Sequence, residues 1–207
     1  MSREEIVKIL KKNYYFSTDK ITQIEHFVNL LLNFNKKYNL ISKSTEQDIW
    51  KRHVLDSAQI IKLINFKKPG ELSDLGSGAG FPGVVLSIYN DNPSFHVKLF
   101  EKSPVKRSFL KKLISENNKF ELFGNIYERS NMSSNYVVCR AFKKLSPIFK
   151  ISREIFNNPH KLIVLKGKNA EKELKTVSNI KNYRYKMVSS VTDIDSKIII
   201  AEKKNEK

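Results

Sequence analysis

A single cysteine, Cys139, occurs in the 207 residues. No intrachain disulfide can form, and no thiolate cluster can hold a metal. The four histidines (His26, His53, His96 and His160) are scattered without metal-ligand spacing, so no metal is expected. No apolar run approaches the roughly 18 residues that a membrane span requires. The opening Met1-Ser2-Arg3-Glu4-Glu5 carries charge where a secretory signal has an apolar core. There is no low-complexity linker and no internal repeat. These absences exclude a disulfide scaffold, a zinc module, a membrane protein and a repeat array, and leave a cytoplasmic globular chain as the expectation.

Acidic residues are also scarce, 21 against 38 lysines and arginines, for a net charge of +17. Such an excess suits a polyanionic partner, most simply nucleic acid. Lysine outnumbers arginine 31 to 7, and asparagine and isoleucine are plentiful, so part of the excess also fits the codon usage of an AT-rich genome spread over a solvated surface.

Residues 1–65 read as helices. Ile6, Ile9 and Leu10 form a short apolar stripe. After a break at Tyr14-Tyr15-Phe16, Ser17 or Thr18 can cap a second helix. Its Ile21, Ile24, Phe27, Val28, Leu31 and Phe34 recur at helical spacing. A third helix is expected over 46–64, with Ile49, Trp50, Val54, Leu55, Ile60, Ile61 and Ile64 inward. From Lys67-Lys68-Pro69-Gly70 the texture alternates. Strands are expected at 72–75, 96–101, 120–123, 136–139 and 162–165, with a helix through Val84–Ile88 begun near Pro82 and another from Ser103. The stretches 183–191 and 197–201 can pair as a closing hairpin. Alternation ending in a hairpin indicates an α/β doubly wound sheet with one antiparallel strand, preceded by a helical extension (1–65) on the main domain (66–207), the two forming one compact unit.

The segment Asp74-Leu75-Gly76-Ser77-Gly78-Ala79-Gly80 follows the first of these strands. Three alternate glycines let the backbone turn sharply and approach a ligand, and the helix beyond offers free N–H groups. Two registers compete. Gly78-Ala79-Gly80-Phe81-Pro82-Gly83 fits the dinucleotide fingerprint, whereas the Asp74 register sets a carboxylate at the strand end, facing a cationic amino-acid moiety. Glu101, 25 residues after Gly76, can accept from ribose hydroxyls under either. The closing antiparallel hairpin favours a methyltransferase.

Six segments resemble the RsmG (GidB) family of bacterial small-subunit rRNA methyltransferases: Phe34-Asn35-Lys36-Lys37-Tyr38-Asn39-Leu40, Arg52-His53-Val54-Leu55-Asp56-Ser57, the glycine loop through Phe81-Pro82-Gly83, Lys106-Arg107-Ser108-Phe109-Leu110, Cys139-Arg140-Ala141-Phe142 and Leu165-Lys166-Gly167. The resemblance implies a Rossmann-like class I methyltransferase with a seven-stranded, mostly parallel sheet, S-adenosylmethionine as cofactor, and methylation of guanine N7 in the 530 loop of 16S rRNA. It further implies cofactor contacts from Gly76, Gly78, Gly80 and Phe81, a ribose contact from Glu101, and Arg140 at the cofactor's edge. A loop after the third strand, commonly Arg-x-Glu in the family, falls at Arg129-Ser130-Asn131. Ser130 and Asn131 are therefore expected beside the adenine, with Asn131 replacing an acid.

Guanine N7 has an in-plane lone pair and no proton, so its methylation needs placement rather than a general base. Arg140 is accordingly expected to orient the guanine or the cofactor, with a structural ion pair to Asp74 or another carboxylate as the equal alternative. Arg52, His53, Lys106, Arg107 and Lys166 are candidate contacts to 16S rRNA or the small subunit, and a monomer is favoured. Cys139 reads as a small buried strand residue. Two other functions stay open on the residues alone: a methyltransferase of this fold acting on a protein or small molecule, and a nonenzymatic RNA-binding assembly factor.

Overall fold

The computed structural model describes residues 1–116, 119–177 and 180–203. Helix α1 (Arg3–Tyr14) starts in a capping box, in which Ser2 Oγ accepts from Glu5 N and the Glu5 carboxylate accepts from Ser2 N. Helix α2 (Thr18–Tyr38) is capped by Ser17 and ends on left-handed Asn39. The helix expected over 46–64 is broken into pieces. Helix α3 (Lys43–Glu46) is followed by a π-helical turn (Trp50–Leu55), helix α4 (Asp56–Ala58) and a 3-10 turn (Ile61–Leu63). The apolar residues still point inward. In this wider turn the carbonyl of Arg52 accepts a hydrogen bond from a side chain of the sheet.

Seven strands follow: β1 (Gly70–Leu75), β2 (Phe95–Phe100), β3 (Glu121–Phe123), β4 (Tyr136–Arg140), β5 (Lys161–Lys166), β6 (Tyr183–Ser189) and β7 (Lys197–Lys203). They form one sheet in the order β3-β2-β1-β4-β5-β7-β6, with β7 antiparallel to both neighbours and the other pairings parallel. Between them lie α5 (Gly83–Tyr89), α6 (Pro104–Glu116), α7 (Leu145–Ile155) and α8 (Ala170–Leu174). Helix α7 has no counterpart in the sequence reading, although Leu145, Ile148, Phe149, Ser152 and Ile155 carry a helical period and are buried.

Strand residues alternate between two cores, as a pleat with period two requires. Val138, Ile163, Leu165, Ile198 and Ile200 face one layer with α2, α5 and α6. Val137, Cys139, Leu162, Val164 and Ile199 face the other with α7 and α8. The first core is continuous with the N-terminal helices: Phe27 of α2 lies 5.0 Å from Phe81 and 6.3 Å from Phe109, ring to ring. Each such buried side chain contributes roughly 1.5–3 kcal/mol. The chain order reverses between β1 and β4, and the crevice beyond their carboxyl ends is where doubly wound sheets bind ligands.

Candidate active site

The glycine loop turns directly after β1, with Gly76, Gly78 and Gly80 all at positive φ. At Gly76 (φ 70°) a methyl group would lie 2.2 Å from the Phe142 ring, so both the conformation and the space demand glycine. The loop is tied down from two sides. Asp74 Oδ2 accepts from Gly83 N at 2.9 Å, anchoring the first residue of α5. Glu101 follows the end of β2, and its two oxygens accept from Gly78 N (2.8 Å) and Ser103 N (2.7 Å).

A cavity of about 340 Å³ opens above this loop, lined by Gly76, Glu101, Lys102, Lys106, Asn125, Ile126, Tyr127, Ala141, Phe142 and Lys143. Apolar walls from Ile126, Tyr127 and Phe142 suit a flat aromatic base, and the Glu101 carboxylate at the floor suits vicinal hydroxyls. Asp74 is fully buried beneath the loop, and among the described residues its Oδ1 has no hydrogen-bond partner. Burial pushes its carboxyl up to about 7. Asp74 does not itself line the cavity, but it lies two residues before Gly76, which does, and its unsatisfied acceptor suits a ligand carrying both a nucleoside and a cationic amino-acid end.

Several expected cofactor residues take supporting positions instead. Gly78 and Gly80 shape the turn without lining the cavity, and Phe81 is buried between Phe27 and His53. Pro82 sits just before α5 rather than in its first turn, after a cis Phe81–Pro82 bond. Ser130 and Asn131 also fall outside the lining, and the residues that take their place belong to the earlier 3-10 turn Ile126–Glu128 and its cap Asn125. Asn131 has φ 55°, a left-handed conformation that asparagine tolerates, and its amide oxygen accepts from Asn157 Nδ2. It is a turn residue, and no acid is missing from the cavity on its account.

A second cavity, of about 280 Å³, lies on the other side of Ala141, the one residue the two share. Ala141 has φ 48°, strained for a residue with a Cβ. Its wall is assembled from the π-helical turn, the ends of β4 and β5, and the tip of the β6–β7 hairpin. Asp56 is its hub. Asp56 Oδ1 accepts from Gln59 Nε2 (2.7 Å) and Thr192 Oγ1 (2.8 Å), and Oδ2 accepts from Arg140 Nη1 (3.2 Å). Arg140 also donates to the Arg52 carbonyl (2.6 Å) and to His53 Nδ1, and its guanidinium lies over the Phe81 ring. The ion pair of Arg140 is thus with Asp56, while Asp74 is near enough to act only through its field.

Because Arg140 is a donor without acceptors, His53 Nδ1 must accept, and the ring proton sits on Nε2, which is buried without a partner. Burial, with Arg140 and Arg52 beside it, lowers the imidazole to about 3, so it is neutral at any working pH. The remaining expected RNA contacts divide. Arg52 is half exposed at the second cavity. Lys106 stands at the first cavity. Arg107 is engaged by the carbonyls of Glu101 and Lys102, and Lys166 by Glu173 (2.8 Å) and the Lys143 carbonyl, so both brace loops, although Lys166 also lines the second cavity. Gln59, Ser190, Thr192 and Asp193 escaped the sequence reading, because only the fold brings the hairpin tip to residues 52–59.

A nucleoside-shaped cavity over an acid-flanked glycine loop, at the switch point of a seven-stranded sheet with one antiparallel strand, defines an S-adenosylmethionine-dependent methyltransferase of the class I fold. A SAM-dependent methyltransferase from Aquifex aeolicus has the same fold, with a TM-score of 0.60 at 11% identity, covering 82% of this chain and 97% of its own. Residues 20–200 match the family model GidB, rRNA small subunit methyltransferase G. Ribosomal RNA small subunit methyltransferase G of Pelagibacter ubique is 35% identical over 209 residues, spanning 97% of each chain, and that of Rickettsia bellii is 36% identical over 180 residues, spanning 86% of this chain and 91% of its own. The chain belongs to the GidB family.

Proposed function

We propose that the protein transfers the methyl group of S-adenosylmethionine to N7 of a guanine in the 530 loop of 16S rRNA, acting as a cytoplasmic monomer on RNA or on the small subunit. In this reading the first cavity holds the cofactor: Glu101 takes the ribose, Ile126, Tyr127 and Phe142 enclose the adenine, and Asp74 Oδ1 accepts from the amino group. The bound cofactor supplies a methyl group activated by its sulfonium. The guanine enters the second cavity, so that its N7 meets that methyl group at Ala141.

The observation that carries the choice of N7 is the lack of an available base in the second cavity. His53 Nδ1 is occupied by Arg140, and its imidazole is neutral and too weak a base. Asp56 is held in an ion pair with Arg140 and accepts on Oδ1 from Gln59 and Thr192, which favours its charged form and makes it a poor proton acceptor. Asp193 is held below the usual carboxylate range, first by the Asp195 backbone N–H. Nearby Cys139 is buried, and burial pushes its thiol up, so it offers no thiolate. An exocyclic amine or a hydroxyl needs a group to take its proton; N7 needs none. The carboxylates of Asp56 and Asp193 then face a base that gains positive charge as the methyl group arrives.

Labelled cofactor incubated with unmethylated small subunits tests this reading. Label should appear in 16S rRNA, and borohydride–aniline cleavage, which is specific for N7-methylguanine, should fall at one guanine. Label in ribosomal protein, or at any other atom of the RNA, would sink the assignment.

A further inference from the structure

The tip of the β6–β7 hairpin carries two aliphatic side chains with nothing apolar to cover them: Ile194 is 84% exposed and Val191 58%. A free loop would fold such residues away or leave them mobile. This tip is fixed. Asp193 Oδ1 accepts from Asp195 N (3.0 Å), Asp193 O accepts from Ser196 N (3.1 Å), and Ser190 N donates to Ser196 O (2.9 Å). Two further bonds lash the tip to the helical extension, Thr192 Oγ1 to Asp56 Oδ1 (2.8 Å) and Val191 N to Gln59 Oε1 (2.9 Å). The same tip lines the second cavity through Thr192, Asp193 and Ser196, flanked by the cations Arg52 and Lys197. A hydrogen-bonded aliphatic projection therefore stands beside a polar cavity of base size, with Ile194 between Asp193 and Asp195 and the cations Arg52 and Lys197 on the cavity wall.

We propose that this tip is an RNA wedge: Ile194, supported by Val191, inserts into the base stack and fills the gap left when the target guanine swings into the second cavity. The inference rests on the reading of that cavity as the guanine site. Extruding a base exposes the faces of its two neighbours, and an apolar side chain that replaces the lost stacking lowers the cost of the open state. Isoleucine suits the task because it has no polar group to desolvate. The flanking cations hold the backbone while the fixed hairpin keeps the wedge aligned with the cavity mouth.

The test compares Ile194→Ser and Ile194→Leu with the unaltered protein on unmethylated small subunits. Ile194→Ser is expected to lower kcat at saturating subunits by about tenfold to a hundredfold, with cofactor affinity and thermal midpoint unchanged, while Ile194→Leu retains most of the rate. Acylation of the 2′-hydroxyls flanking the target guanine should rise when the unaltered protein binds and stay low with Ile194→Ser, even at saturation. The wedge is overturned if Ile194→Ser turns over at the normal rate. It is equally overturned if that variant loses only subunit affinity with kcat intact, the mark of a plain docking contact to RNA or to a ribosomal protein. A protein that binds S-adenosylmethionine but leaves small-subunit rRNA unmethylated would instead refute the parent reading, and the wedge with it.

Discussion

The two cavities that meet at Ala141 are built in opposite ways. The first is made by loops at four adjacent strand ends: the glycine loop after β1, one carboxylate after β2, one 3-10 turn after β3 and residues 141–143 after β4, with the glycine loop tied largely by backbone N–H groups. The second is made by side chains from residues 52–59, 140, 166 and 190–197, which only the sheet brings together. Backbone cradles tolerate many sequences and serve a ligand common to a whole class. A wall of interlocked side chains depends on each member, which suits a site that must choose one acceptor. Asp56 is the centre of that dependence, and removing it should have the largest effect. With Asp56→Ala the partly buried Arg140 loses its charge partner and Thr192 one of its hydrogen-bond partners, costing about 2–3 kcal/mol of stability. Denaturant unfolding would measure this. An unchanged midpoint would show that the hairpin and the helical extension are held together without Asp56, by packing and the Gln59 bonds, and the contrast between the cavities would dissolve.

The first cavity can be probed through Asp74, whose carboxyl is raised by burial to about 7. Protonated, it cannot offer charge to the cofactor's amino group. Affinity for S-adenosylmethionine should therefore rise with pH, approaching tenfold per unit below 7 and levelling above it, with a proton released on binding. In the free protein the sign is opposite. The unfolded carboxyl ionises from about pH 3.8 and the folded one only near 7, so this group's contribution to stability is lost as pH rises across that window. Calorimetry from pH 5.5 to 8 checks the binding limb, and Asp74→Asn should flatten it at the weak level. A flat profile for the unaltered protein would mean that Asp74 serves only to anchor Gly83.

What could be read from sequence follows the same division. All seven strands, the antiparallel closing strand and the Ser17 cap were legible, because period, glycine and capping signals are local. The glycine loop and Glu101 were legible for the same reason. The π-helical turn was not: Ile49, Val54 and Leu55 keep the apolar period of an ordinary helix, and the turn widens where Arg140 reaches in from the sheet. From sequence the adenine side falls at Ser130 and Asn131, whereas the cavity is lined by Asn125, Ile126 and Tyr127, a few residues earlier in a loop lacking periodicity. The Asp56 hub lay beyond reach, since it joins residues more than a hundred positions apart, as Asp56 with Thr192. Family resemblance pointed to Arg52, His53 and Arg140 from separate segments, as RNA contacts and a cofactor-edge residue, without indicating that Asp56 joins them.

Arg52 gives the smallest and most discriminating effect. Its guanidinium is half exposed and lies 3.8 Å from Asp193, a surface pair whose loss costs little stability. The Arg52 carbonyl, not its side chain, holds Arg140, so Arg52→Ala leaves the hub standing and should leave cofactor affinity unchanged. If the guanidinium meets a phosphate at the rim of the second cavity, the variant should bind small-subunit RNA more weakly at low salt. The slope of log affinity against log salt should then fall by about one unit. Filter binding over a range of potassium chloride concentrations separates the cases. A weaker affinity with an unchanged slope would place Arg52 on the base itself, making the second cavity a reader of sequence as well as a wall. No change in either quantity would remove the exposed cation from the RNA surface and leave recognition to the buried network around Asp56.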